Sequence, residues 1–299
     1  MCKTIFVGNY KGGVGKTTTV INFANYLASK KCKVLTIDLD PQSSLSEIQV
    51  SNFLSKSLAS LADDETLNYA FDLYMARIKK YPSLRISFPK KLIHKCGEYD
   101  FIPSSLFYKK GIGLDALAMK MQPNLAYLSI LKCFLDELSS DYEYILIDCP
   151  PSNNVITQSA FLASDYYVIP TILDHLSTNG VIHYIKVVEG IYSDYCENDK
   201  NEDSLLAKGI FGKKAKLLGI FYNLIRANVN YVEEKTQFLE ELKTGFTDSG
   251  GMPYVLKSYV NNFIDISRDT ANGNSSMYIK DFEKVGKELL KRIKEFDND

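Results

Sequence analysis

Tryptophan is absent from the 299 residues, and histidine occurs only at His94, His175 and His183. So small a supply excludes a histidine-rich metal centre. The six cysteines stand singly, at 2, 32, 96, 133, 149 and 196, with no C-x-x-C pair. That removes zinc ribbons and dithiol redox motifs, and it reads as free thiols in a reducing compartment. The formal net charge is only -1, so any attraction to nucleic acid or lipid must come from a local cluster. No apolar run approaches the roughly 18 residues of a membrane-spanning helix. Glycine-rich sequence begins by Gly12, which leaves no room for a signal peptide and predicts a cytosolic protein.

What is present is a strand-then-helix rhythm. Thr4–Val7, Lys33–Ile37, Tyr99–Ile102, Tyr142–Ile147, Tyr166–Thr171 and Leu217–Asn223 are short apolar runs of strand length. A further short strand is predicted near Tyr254–Leu256. Helical spacing occupies 17–30, 124–138, 177–192, 231–242 and 276–296, and residues 44–97 read as helical and irregular, broken at Pro82 and Pro89. Such alternation predicts one α/β domain over 1–299, a doubly wound and mostly parallel sheet with helices on both faces. Two segments read as insertions, a helical one at about 50–97 and an exposed one at about 197–216. In such sheets ligands bind beyond the carboxyl ends of the strands.

The first strand runs into Lys11-Gly12-Gly13-Val14-Gly15-Lys16-Thr17-Thr18, which opens a helix. Glycines let backbone N–H groups turn toward phosphates, and the helix N-terminus adds partial positive charge. In such a cradle Lys16 neutralises the β- and γ-phosphates of ATP and the Thr17 hydroxyl ligates Mg2+. The usual first glycine is replaced by Tyr10, and a second lysine, Lys11, is added. Two later strands end in acids, Asp38-Leu39-Asp40-Pro41-Gln42 and Asp148-Cys149-Pro150-Pro151-Ser152. Asp148 fits a carboxylate that holds Mg2+ through water, and Asp38 could support the same shell. Asp40 stands where a carboxylate could orient an attacking water. Strand-end capping is the plainer role for each of these acids.

Taken in order, K-G-G-V-G-K-T-T, D-L-D-P-Q and D-C-P-P-S resemble the ParA/MinD family of deviant-Walker P-loop ATPases, and the ParA/Soj partition branch more than the MinD branch. The resemblance implies an ATP-dependent homodimer with nucleotides sandwiched between subunits. It gives Lys11 a catalytic role on the partner subunit's nucleotide, and Asp40 the role of orienting water. It places Asn223 at an adenine-contacting position. It also implies non-specific DNA binding in the ATP state, nucleoid association, and a centromere-binding ParB-like adaptor that stimulates hydrolysis. Some relatives carry an N-terminal helix-turn-helix, for which the sequence before Lys3 gives no space, so autorepression is not expected.

Several cations are candidates for the DNA surface. Residues 75–95 hold Arg77, Lys79, Lys80, Arg85, Lys90, Lys91 and Lys95 without one acid, although a solvated helical face would look the same. The family's DNA-contacting arginines fall near Arg226 and near Arg268, but Ile266 holds the better-aligned second position. Lys257 and the lysines of 208–216 are possible substitutes. The C-terminal helix alternates lysines with Phe282, Val285, Leu289, Ile293 and Phe296, and its acids argue against strong attraction to anionic lipid, so stable membrane binding is not expected. The competing reading is a MinD-like positioning ATPase with a membrane or protein track. A nitrogenase-iron-protein relative would need cluster cysteines, and Cys96 and Cys133 lack the surrounding glycines.

Overall fold

The computed structural model describes residues 2–95, 97–174, 177–226, 229–246, 251–261 and 280–298. In chain order the regular elements are β1 (Lys3–Val7), α1 (Lys16–Ser29), β2 (Val34–Asp38), α2 (Ser44–Leu54), α3 (Leu67–Lys80), β3 (His94–Lys95), β4 (Asp100–Ile102), α4 (Leu114–Ala118) and α5 (Leu125–Leu138). There follow β5 (Tyr144–Asp148), α6 (Val155–Ala163), β6 (Tyr166–Thr171), α7 (Ser177–Tyr192), α8 (Ser204–Phe211), β7 (Lys216–Tyr222), α9 (Val232–Gly245) and α10 (Lys280–Asn298). The strands form one sheet in the order β3-β4-β2-β5-β1-β6-β7. All pairings are parallel except β3 with β4. The predicted doubly wound, mostly parallel sheet is therefore present.

Apart from the stretch near Tyr254, the expected strands and helices recur with their described edges moved by at most three residues. Three differences have physical causes. The stretch near Tyr254 makes only an isolated bridge, Val255 to Ile220, rather than a strand. Helix α6 is not among the helices read from the sequence; it opens on the β-branched Val155, Ile156 and Thr157, and Asn154 caps it by accepting the Thr157 amide at 3.1 Å. The exposed segment 197–216 contains α8, anchored by buried Ala207 and Phe211. The start of the predicted C-terminal helix, 276–279, lies outside the described residues.

Each face of the sheet has its own core. Beneath α1 and α10 lie Val20, Phe23, Leu27, Val285 and Leu289, while α3 and α5 to α9 cover the other face around Phe71, Phe134, Phe161 and Tyr184. Helix α10 sits hard on α1: a Cβ at Gly286 would come within 2.5 Å of the Tyr26 ring. Its Glu288 also ties down the preceding segment, accepting the Tyr254 hydroxyl at 2.8 Å and the Lys257 and Ser258 amides at 3.0 Å each. Burial opposes the charge, but these donors outweigh it and hold the carboxyl below the usual glutamate range. A lowered folded pKa contributes stability above the unfolded value, and that contribution is lost as pH falls through the folded one. Glu288→Gln should therefore cost on the order of 1 kcal/mol at pH 7, allowing for partial exposure. The gap to wild type should close below about pH 4, as read by urea denaturation at both pH values. An unchanged gap at low pH would assign the effect to packing instead.

Candidate functional site: a phosphate cradle between two acidic strand ends

The central order β2-β5-β1 creates the site. Register sets Asp38 beside Asp148 and Asp148 beside Val7, so both acidic strand ends flank the loop that leaves β1. That loop turns into α1 through Gly13 at φ 71° and Gly15 at φ 86°, left-handed values that favour glycine. A Cβ at Gly12 or Gly13 would meet nothing within 4 Å, which leaves the mouth of the loop open. The N-terminus of α1 points its unpaired amides into the same mouth.

Three side chains brace the loop from behind. Asn9 donates to the Pro170 carbonyl at 2.9 Å and accepts the Lys11 amide at 3.0 Å. Buried Tyr184 packs against Gly8, where a Cβ would overlap its hydroxyl. Asn223 is buried, donates to the Val14 carbonyl at 2.8 Å and accepts the Leu224 amide at 2.9 Å. The amide end of the side chain expected at an adenine thus holds the loop, and its oxygen is taken by the residue that follows it. Gly15→Ala should collapse this arrangement, because the new Cβ would lie 2.2 Å from the Asn223 amide nitrogen at an unfavourable φ. We expect at least a tenfold loss of ADP affinity by calorimetric titration; near-normal affinity would mean the loop tolerates a different backbone path.

Lys16 is buried, and its ammonium donates to the Lys11 carbonyl at 3.1 Å. Burial pushes its pKa down, while Asp148, Asp40 and Cys149 oppose that shift. Thr17 donates its hydroxyl to Asp148 Oδ2 at 2.6 Å. The other Asp148 oxygen, Oδ1, is buried without a hydrogen-bond partner. Burial and neighbouring Asp38 raise the Asp148 carboxyl well above the ordinary range. A hydroxyl, an orphaned carboxylate oxygen and excess negative potential at the foot of a phosphate cradle fit Mg2+, which keeps most of its water. Among the described residues no three His, Cys, Asp or Glu side chains gather to hold an ion by themselves, so phosphate and water must complete such a shell.

Asp38 is placed differently from Asp148. Its Oδ2 accepts the Ser46 amide at 2.8 Å and hydroxyl at 2.6 Å, and its Oδ1 accepts the Asp40 amide at 2.9 Å. Burial lifts its pKa to about 6 against these donors. The side chain fixes the loop that carries Asp40. Asp40 is half-exposed there, with Oδ1 taken by the Gln42 amide at 2.9 Å.

Lys11 does not point into the cradle of its own chain. It forms an ion pair with Asp174, just beyond β6, and lies 3.3 Å from the Ser177 hydroxyl at the start of α7. Ser177 in turn donates to Asp174 Oδ1 at 2.7 Å. Sequence reading did not identify Asn9, Tyr184, Asp174 or Ser177. Asp174 follows the strand next to β1 at its carboxyl end, a place where that topology rule could have found it.

The DNA candidates fall apart spatially. Arg77 donates to the Leu84 and Pro82 carbonyls, Lys79 to that of Lys120, and Lys91 and Lys95 pair with Asp64 and Asp100. The basic run is thus largely committed to its own chain. Lys80, Arg226 and Lys257 are exposed, and Arg268 lies outside the described residues. No helix among the described residues is long and apolar enough to cross a membrane.

A model of the AAA-domain family matches residues 2–201. An uncharacterized protein of Pseudomonas putida is 30% identical over 192 residues, 64% of either chain, so the match spans less than two thirds of that relative. The sporulation initiation inhibitor protein Soj of Bacillus subtilis is 27% identical over 273 residues, 91% of this chain and 89% of that one. Among solved structures, a putative plasmid partition protein of Borrelia burgdorferi bound to AMPPNP superimposes with a TM-score of 0.65 at 22% identity, over 99% of both chains. The ParA/Soj resemblance carried by the three motifs is borne out.

Proposed function

The chain belongs to this AAA-domain family, and from that premise we propose that it is a ParA/Soj-type partition ATPase, a dimeric ATP switch for plasmid or chromosome segregation. The observation that carries the reading is the Thr17–Asp148 hydrogen bond with its orphaned carboxylate oxygen, set beneath an open cradle. Gly12 to Thr18 would hold the ATP phosphates by backbone amides, and Lys16 would neutralise them. Mg2+, held by Thr17 and through water by Asp148, would offset phosphate charge. Lys11 is 32% exposed at its side chain and tethered by Asp174 and Ser177. Released from them, it can reach a nucleotide on a partner subunit. Asp40 would orient the attacking water.

In this reading the ATP dimer binds DNA non-specifically on the nucleoid, and a ParB-like adaptor triggers hydrolysis and release. The test is binding to random-sequence duplex DNA with ATP, with ADP or without nucleotide, at low and moderate salt. Tight binding only with ATP, weakening as salt rises, is expected. Absence of binding in every state would sink the DNA reading and leave the nucleotide switch to a protein or membrane track.

A further inference from the structure

Helix α10 has a mixed composition but a sorted surface. Lys280, Lys284, Lys287, Lys291 and Lys294 follow one another at intervals of four, three, four and three residues, so they share one helical face. All five are exposed. Four of the acids of the helix are engaged by groups of the chain outside the row. Asp281 accepts both the backbone and side-chain amides of Asn261, Glu288 holds Tyr254, Lys257 and Ser258, Glu295 pairs with Arg292, and Asp297 pairs with Lys3. Lys291 of the row makes a long ion pair of 3.6 Å with Glu295. Exposed Glu283 stands one turn before Lys287, and Glu288 borders the same cleft, so the row carries an excess of cations rather than cations alone. Lys30, at the end of α1, joins the row across a cleft floored by Tyr26, Tyr144 and Leu290.

From this sorting we infer that the α10 lysine row, with Lys30, is the surface that receives the DNA backbone. The inference rests on the DNA-binding reading above and assigns it a place. The row is about 21 Å long at 1.5 Å per residue. Duplex DNA presents a phosphate every 3.4 Å or so along each strand, so a row of this length can neutralise about five. A dimer carries two rows, which makes the contact bivalent and gives ATP-driven dimerisation its leverage on affinity. An anionic lipid surface would attract the same charges, but it also requires apolar side chains that enter the bilayer. Here Phe282, Val285, Leu289 and Ile293 are buried against the sheet, and no large hydrophobic side chain on α10 is strongly exposed. The lysine cleft therefore fits phosphates in solution better than a membrane.

The experiment compares the full-length wild type with the K284Q/K287Q/K291Q triple variant. Binding of each to a random-sequence duplex with ATP is measured as log Kd against log salt, and each is spun with vesicles containing anionic phosphatidylglycerol. ATP hydrolysis without DNA should be unchanged in the variant, since none of the three touches the nucleotide site. The expected result is a salt slope shallower by about 3 per protomer engaged, close to one for each lysine removed. A K79Q/K80Q/K90Q variant should keep the wild-type slope, because that face is not the row. An unchanged slope in the α10 variant, while wild type binds DNA, overturns the inference and leaves the partition reading standing. If wild type binds no DNA in any nucleotide state, the partition reading falls first. Vesicle binding that the α10 variant loses, without DNA binding, would assign the row to lipid and overturn the inference.

Discussion

Lys11→Ala is expected to bind ATP nearly as wild type does, yet to lose at least a hundredfold in phosphate release and to remain a monomer with ATP. The separation follows from where the side chain sits. In its own chain Lys11 lends the cradle a carbonyl oxygen, which accepts Lys16, and a backbone amide fixed by Asn9. Neither bond needs the side chain. The ammonium is held away by Asp174 and Ser177, so its removal takes nothing from ground-state binding in one protomer. A cation that reaches the transferring phosphoryl group only in the assembled dimer acts on charge that develops in the transition state, a contribution of about 10³ to 10⁵ when supplied in trans. Lys16→Ala should differ in kind. That ammonium is buried against the loop beside Asp148 and Asp40, and its loss should weaken nucleotide binding itself. Calorimetric titration with ATP, light scattering for mass and phosphate release distinguish the two variants. Near-normal turnover by Lys11→Ala would end the trans-acting assignment.

The parts of the site legible in the sequence are those in which chemistry and chain neighbourhood coincide. Gly12 to Thr18 is one uninterrupted segment from loop into helix, and each acidic motif is a strand end, so the motifs could be assigned to one phosphate site from the sequence. Sheet register then added what order could not: Asp38 and Asp148 are paired neighbours, so Asp38 adds to the burial that raises the cost of ionising Asp148. The Lys11 pair with Asp174 joins residues 163 positions apart, and nothing local announces it. Charge shows the same limit from both sides. Residues 75–95 are the most basic run in the sequence, but folding spends several of their cations on nearby carbonyls and acids. Helix α10 reads as mixed in sequence, but its period places lysines on one side and ties Asp281, Glu288 and Glu295 to groups of the chain. Composition counts charges; only the fold decides which remain available.

Asp40→Ala is expected to produce an ATP-bound dimer that persists, with phosphate release reduced by about 10² to 10⁴ as for loss of a positioned base. The three acids of the site support this by the work each already does. Asp148 is joined to Thr17 at the foot of the cradle, with its free oxygen buried where Mg2+ chemistry is needed. Asp38 spends both oxygens on Ser46 and on the Asp40 amide, so it shapes the loop and has no geometry left for a substrate water. Asp40 is the half-exposed acid of the three, and one of its oxygens is held by the Gln42 amide. That bond orients the carboxylate without consuming it. Asp38→Ala should accordingly behave differently from Asp40→Ala: it leaves buried donors on Ser46 unpaired, so it should lower stability and nucleotide affinity together. Light scattering after ATP addition and single-turnover phosphate release separate these outcomes. A stable dimer with stalled turnover from Asp40→Ala, beside a destabilised chain from Asp38→Ala, would assign water orientation to Asp40. Normal hydrolysis by Asp40→Ala would show that the loop held by Asp38 serves geometry alone.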